Sequence, residues 1–452
     1  MVEELELGGT SLAQRIASFG AGLKLDAVPG EVHHVAKRCI VDLVGVAIAA
    51  TSHPLTGRML DHATATYAPG AATVLGSPVR LSPVGAALVN GASAHVLDFD
   101  DTSYTGIMHG SAVAFPAALA TTEASDGDGR RLLEAFIVGS EVTYAVALMC
   151  TTEHYFKGWW STATFGAFGA AAAAAKALGL SIEQTTSALA LAGAQACGPK
   201  VAFGTDAKPF LAGRAAAIGV EAALLAAKGL VGPEAVFEDS RGFLQLLNDG
   251  RAETGAIDDL GHVWRLVEPG IFFKQFPVCS AAHAAAELTQ RLLNDNQLGG
   301  DSVRKAICEV PPTVAISLMH DRPRTPQEAQ FSLPFAVGAM LARGKLDIDC
   351  LTRETLSDPS MKDAMAKVEM RRVDALHRDE APEGARVTLQ TIDGDDVTGY
   401  LGEPMGMPGN PMSDETLHEK FLRCVATGGL DQPQATALLR HLNGIESAKT
   451  AL

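Results

Sequence analysis

Between about residue 10 and residue 265 one signal recurs: Ala, Leu and Val fall at the spacing of a single helix face, with few β-branched alternations to suggest strands. Val32, Val35, Ala36 and Cys39, for example, sit at i, i+3, i+4 and i+7. An alanine run at 170–175 continues the pattern with the residue of highest helix propensity and a one-carbon side chain, so helices built from it can approach closely. Ser181-Ile182-Glu183-Gln184 has the form of a capping box opening a further helix. At 452 residues the chain exceeds one compact core, since domains usually run to about 100–200 residues. The signal changes near residue 268. Stretches 303–310 and 386–391 read as strands, Asp393-Gly394 as a hairpin turn leading to a strand at 397–401, and 331–343 as a helix between them. The Gly/Pro/Met stretch 405–410 reads as a linker, and Ser413-Asp414 as the cap of a helix running towards Val425. The expected fold is mainly α: an all-helical domain over 1–267, a smaller α+β domain over 268–404, and a C-terminal segment, 405–452, returning to the helices.

Charge narrows the partners. Lys and Arg number 36 against 52 Asp and Glu, a net −16 that repels nucleic acid and anionic membranes, so an anionic substrate needs a locally basic pocket. No run of about 18 uninterrupted apolar residues occurs, so no membrane span is expected. The start Met1-Val2-Glu3-Glu4-Leu5 is acidic where a secretory signal is basic and then apolar, which points to the cytoplasm. Seven scattered cysteines without a CxxC pair argue against a disulfide framework or a zinc site.

The densest polar constellation is Asp98-Phe99-Asp100-Asp101-Thr102, followed by His109. Three carboxylates in four residues repel one another unless they are solvated, paired or set against a cation. A solvated helix end is the bland reading. The second is a Mg²⁺ site, because hard cations take oxygen ligands. The third is acid/base chemistry, with a carboxylate orienting His109, whose imidazole suits proton transfer near neutrality. Lys208, in Asp206-Ala207-Lys208-Pro209, and Lys274, in Phe272-Phe273-Lys274-Gln275-Phe276-Pro277, are candidate carboxylate clamps. The apolar neighbours of Lys274 are expected to lower its pKa and make it a base, unless it simply snorkels. It also falls at the domain junction, where pockets are common. Cys279 and His283, four apart, can be read as nucleophile and base, although no third orienting group is in sequence view.

These residues together resemble the MmgE/PrpD family over nearly the whole chain. The resemblance runs through 32–45, Asn90-Gly91, His95, 98–102, His109, Lys208-Pro209, Gly213-Arg214, Gly232-Pro233, 274–277 with Cys279 and His283, Phe331-Ser332 and 409–413. Each motif is weak alone; their order and spacing are specific. The resemblance implies a large helical domain with a smaller α+β lid, a homodimer through the helical domain, no cofactor and no metal, and proton transfer on a small polycarboxylate. It also implies Asp98, Thr102, His109, Lys208 and Lys274 as site residues. Two positions depart from the family's dehydratases and decarboxylases: Trp160 stands for a histidine and Phe335 for a tyrosine. Dehydration needs more acid/base groups than epimerisation, so the reading chosen is an epimerase acting on iminodisuccinate. In that scheme His109 is one base, Asp98 and Thr102 fix its orientation or the substrate's, Lys274 is the opposing acid/base, Lys208 binds carboxylate and Trp160 shapes the pocket. The alternatives are a lyase of the 2-methylcitrate dehydratase or cis-aconitate decarboxylase type, and a non-catalytic helical scaffold.

Overall fold

The computed structural model describes residues 9–378 and 382–452; the acidic start at 1–5 lies outside the described residues. The helices that carry the argument are α1 (Gly30–Ala49), α2 (Pro83–His95), α3 (Ser111–Ala124), α4 (Gly129–Cys150), α5 (Ser161–Leu178), α6 (Ile182–Gly193) and α7 (Ala207–Ala227). α5 contains the alanine run, packs on α4, α3 and α7, and stops where Gly179 turns left-handed at φ +67°. The capping box of α6 forms as its sequence predicts, with Ser181 and Gln184 each accepting from the other's amide. Side-chain-free crossings bring the backbones together: a Cβ on Gly213 of α7 would lie 2.2 Å from the Leu88 carbonyl oxygen of α2. Gly91 and Gly213 face each other across that crossing, and it holds the start of α7 beside the end of α2.

By length and composition α4 and α7 could each cross a membrane, yet 89% of the apolar window of α4 is buried among other helices and 61% of that of α7. Bundle packing accounts for their apolar character. All seven thiols are free, and five are buried.

A second core gathers residues from Phe276 to Leu389, separate from the helical core, which also takes in 412–451. Its sheet has strands β1 (Val303–Val310), β2 (Val368–Arg372), β3 (Ala385–Thr391) and β4 (Asp396–Leu401) in the order β2-β1-β3-β4. β1 and β2 are parallel and the other pairs antiparallel, with Gly394 (φ +98°) in the β3–β4 turn. Helices α8 (His283–Asp295) and α9 (Leu333–Arg343) cover the sheet. Helix α10 (Asp414–Thr427), capped by Ser413, packs on α1 of the helical core. The 405–410 stretch is not the free linker its composition suggests. Gly406 donates to Asn410, the Phe273 amide donates to the Gly406 carbonyl, and Met405 donates to buried Glu287, so this stretch is pinned to the lid's first segment.

Candidate active site

The loop between α2 and α3 leaves helical geometry at Asp98, whose φ of +48° turns the chain and aims successive carboxylates in different directions. Asp98, Asp100 and Asp101 are each at most 1% exposed, so the solvated-helix-end reading fails. Asp98 points at lysines. Its Oδ1 accepts from Lys208 Nζ at 2.7 Å, and its Oδ2 lies 3.2 Å from Lys274 Nζ, which also donates to the Asp98 carbonyl at 2.8 Å. Burial alone would raise this carboxyl, but Lys208 and then Lys274 hold it well below the usual carboxylate range. For Lys274, burial opposes the charged form, yet Asp98 and Asp100 outweigh it and raise its pKa. The expectation of a lowered Lys274 is therefore corrected: its apolar neighbours matter less than its anionic partner.

Asp100 points the other way, at two imidazoles. Its Oδ2 is 2.9 Å from His95 Nδ1 and 3.1 Å from His109 Nδ1, and the rings meet edge to face at 4.4 Å. His109 Nδ1 also donates to the Asp101 carbonyl at 2.9 Å, which leaves Nε2 as the ring's remaining nitrogen. The carboxylate beside His109 is thus Asp100; Asp98, assigned from sequence to orient either His109 or the substrate, faces the lysines instead. Burial lowers His95 to about 4, with Asp100 opposing it, so His95 is neutral near pH 7. Burial works to raise Asp100, and His109 and His95 overcome it and hold it well below its ordinary value. Asp101 has no well-formed hydrogen bond on either oxygen; burial, then the charge of Asp42, raises it to about 8. Thr102 donates its hydroxyl to the Met108 carbonyl and pairs through its backbone with Phe272, which ties this loop to the segment that carries Lys274.

All six residues singled out from sequence, Asp98, Thr102, His109, Trp160, Lys208 and Lys274, line one pocket between the two cores. Their convergence removes the main support for a scaffold. The pocket is tight, with about 30 Å³ of free volume, room for roughly two waters. Trp160 is 1% exposed, tilted against His95 at 5.2 Å, with the Lys208 ammonium 5.4 Å from its ring. Phe203 and Phe331, stacked at 5.4 Å, continue the apolar wall.

Tyr155, Ser280, Ser317 and Glu383 line the pocket beside Cys279, and these four were missed. Tyr155, Ser280 and Ser317 sit in helical pieces of one or two turns and Glu383 in a turn, all too short for a periodicity to mark them. Cys279 and His283 do not form a dyad. His283 is fully buried between Phe272 and Phe276, each 5.2 Å away, with Nε2 on the Val278 carbonyl, and burial lowers it to about 3. Burial pushes the Cys279 thiol up to about 12. Phe335 belongs to the lid core and does not line the pocket, so it says nothing about proton handling there. Among the described residues, His95, Asp100 and His109 form the one group whose ligand atoms lie within 4.8 Å of each other. The three aspartates do not converge as a Mg²⁺ cage would require.

Comparison with known proteins agrees with this architecture. The chain is 28% identical to cis-aconitate decarboxylase of Mus musculus over 429 residues, covering 91% of this chain and 86% of that one. It is 28% identical to the Homo sapiens cis-aconitate decarboxylase over 451 residues, 96% and 92% of the two chains. The cis-aconitate decarboxylase of Aspergillus terreus is 25% identical over 442 residues, 91% and 89%. These relatives carry decarboxylase names, against the expected likeness to an epimerase. The MmgE/PrpD N-terminal domain matches residues 14–254 and the MmgE/PrpD C-terminal domain residues 276–442, and the chain belongs to the MmgE/PrpD family.

Proposed function

We propose that this chain is a lyase that decarboxylates a small unsaturated tricarboxylate of the cis-aconitate class by proton transfer from its own side chains. The observation that carries the reading is the Lys208–Asp98–Lys274 arrangement: two buried cations held on one carboxylate, beside an imidazole, in a pocket of an acidic protein. An incoming carboxylate can replace Asp98 as the partner of either lysine. The names of the relatives support the lyase over the epimerase.

In the reaction, one C–C bond to a carboxylate breaks and CO₂ leaves. The electron pair passes along the conjugated alkene to the carbon beside a remaining carboxylate, and that carbon takes up one proton. Lysines on that carboxylate stabilise the charge that develops on its oxygens. His109, fixed by Asp100 and the Asp101 carbonyl, is placed to exchange a proton through Nε2. Trp160 and Phe203 exclude water from the intermediate.

Incubation with cis-aconitate in D₂O tests this. CO₂ release with one solvent deuterium on a product carbon is expected. Deuterium exchange into an imino-bridged dicarboxylate such as iminodisuccinate, without CO₂ release from cis-aconitate, would replace the lyase by the epimerase. Neither activity would overturn both.

A further inference from the structure

The decarboxylation above requires a group that hands a proton to carbon. On the helical side of the pocket His109 is available. On the lid side the pocket-lining groups are Lys274, Cys279, Ser280, Ser317, Phe331 and Glu383. Lys274 is committed to Asp98, the Cys279 thiol is pushed up to about 12, and serine hydroxyls are poor acids at neutral pH. Glu383 is the one carboxyl among them.

Its setting is built rather than incidental. Glu383 is 6% exposed and lies two residues before β3, and the carbonyl of its neighbour Pro382 accepts from the Thr313 hydroxyl at 2.5 Å. Its Oε2 accepts from the Tyr104 hydroxyl at 2.7 Å, and Ser280 lines the same pocket beside it. Tyr104 comes from the same loop as Asp98 and Thr102 and stacks on Phe272, so the Tyr104–Glu383 bond joins the helical side of the site to the lid. A surface acid needs no such enclosure.

We propose that Glu383 is a catalytic acid of this site, donating its proton to substrate carbon from the lid face, and that Tyr104 is its positioning residue. The inference rests on the decarboxylase reading. As CO₂ departs, the new C–H bond forms from the Glu383 O–H rather than from His109 Nε2, and the electron pair of that O–H stays on the carboxylate; water returns the proton after product leaves. Burial raises the carboxyl above its ordinary range and so favours the protonated form that donation requires. The Tyr104 and Ser280 hydroxyls and the Lys274 charge pull it down, and the Asp98 charge pushes it up. Cys279, Tyr155 and Glu403 are the further titratable groups near the pair.

Glu383→Gln keeps the shape and removes the transferable proton. It should lower kcat by about 10²-fold or more with KM within about 3-fold, and Glu383→Asp should recover part of the loss. Tyr104→Phe deletes a hydrogen bond that favours the anion, so the alkaline limb of the kcat–pH profile should move to higher pH. Wild-type enzyme that releases no CO₂ sinks the decarboxylase reading. An active wild type with Glu383→Gln within about 3-fold of its kcat, or an unmoved limb in Tyr104→Phe, overturns the present inference alone. Infrared spectra of the ligand-free protein read the proton without any substrate. A wild-type minus Glu383→Gln difference spectrum that carries a protonated carboxyl carbonyl band at the pH of the assay supports the inference, and a difference spectrum without that band overturns it.

Discussion

Replacing Asp100 by Asn asks whether one carboxylate sets the state of two imidazoles. Asp100 is fully buried, and the same oxygen lies 2.9 Å from His95 Nδ1 and 3.1 Å from His109 Nδ1. An ionised carboxylate accepts from both rings. A carboxamide with its oxygen in the Oδ2 place still reaches both rings but sets its NH₂ in the Oδ1 place, 3.1 Å from His95 Nδ1, which favours a His95 that carries its proton on Nε2. His95 tolerates this, since its Nε2 has no partner. His109 keeps the Asp101 carbonyl at 2.9 Å, so its Nδ1–H form survives in part. The negative charge does not survive. A hydrogen bond to an ionised group is worth about 1.5–3 kcal/mol, which at 1.36 kcal/mol per decade lowers kcat by about 10–10²-fold. That is well short of the roughly 10⁴-fold loss when the orienting Asp of a protease triad becomes Asn, because here a backbone carbonyl shares the task. KM should move less than about 3-fold, since Asp100 does not line the pocket. Steady-state CO₂ release, with a thermal melt to check folding, measures both. An unchanged kcat, or a KM that rises in step with any loss, would refute the argument.

Lys274→Met leaves Asp98 to Lys208 alone and removes one carboxylate clamp, so kcat/KM should fall by about 10²-fold or more in the same assay. Asp101→Asn should flatten the dependence of stability on pH. With Asp101 at about 8 in the fold and near 3.9 unfolded, the native state holds a proton that the unfolded chain releases between about pH 4 and 8; stability therefore falls as pH rises through that window in the wild type, and urea midpoints should show the slope lost in the variant. Lys420→Met removes the ammonium of α10 that sits 2.6 Å from buried Asp42 and donates to the Phe99 carbonyl, costing about 3–5 kcal/mol in urea unfolding. Burial already raises Asp42, so it escapes part of that penalty by protonating, and the cost should be smaller at pH 5 than at pH 8.

What the sequence made legible follows from how local each signal is. The capping box at Ser181, the β3–β4 turn and the strand at 303–310 are set by neighbours a few residues apart, and they form where the sequence places them. β2 escaped notice because Val-Glu-Met-Arg-Arg has no clean alternation: it is a parallel edge strand whose first three residues are partly buried and whose last two are exposed. In the site, composition marked the Asp98-to-His109 loop, which lines the pocket, but could not rank its carboxylates. The left-handed turn at Asp98 sends that side chain to the lysines and Asp100 to the histidines, a division that three near-adjacent aspartates do not announce. Pro382-Glu383-Gly384 looks like an ordinary surface turn; only the lid's placement over Tyr104 buries it. The inference drawn from Phe335 failed because a position in a helix does not say which core that helix faces.

The pairing of Lys208 and Lys274 with Asp98 carries a consequence for how a substrate enters. Asp98 and Asp100 are held ionised, so the two lysines balance them before anything binds. A tricarboxylate bound at these lysines brings three negative charges beside Asp98, where like charges 4 Å apart repel by about 4 kcal/mol at an effective dielectric of 20. Occupancy of the pocket is therefore coupled to proton uptake from solvent. Affinity for the trianion should strengthen as pH falls, and the heat of binding measured by calorimetry should change with the ionisation enthalpy of the buffer.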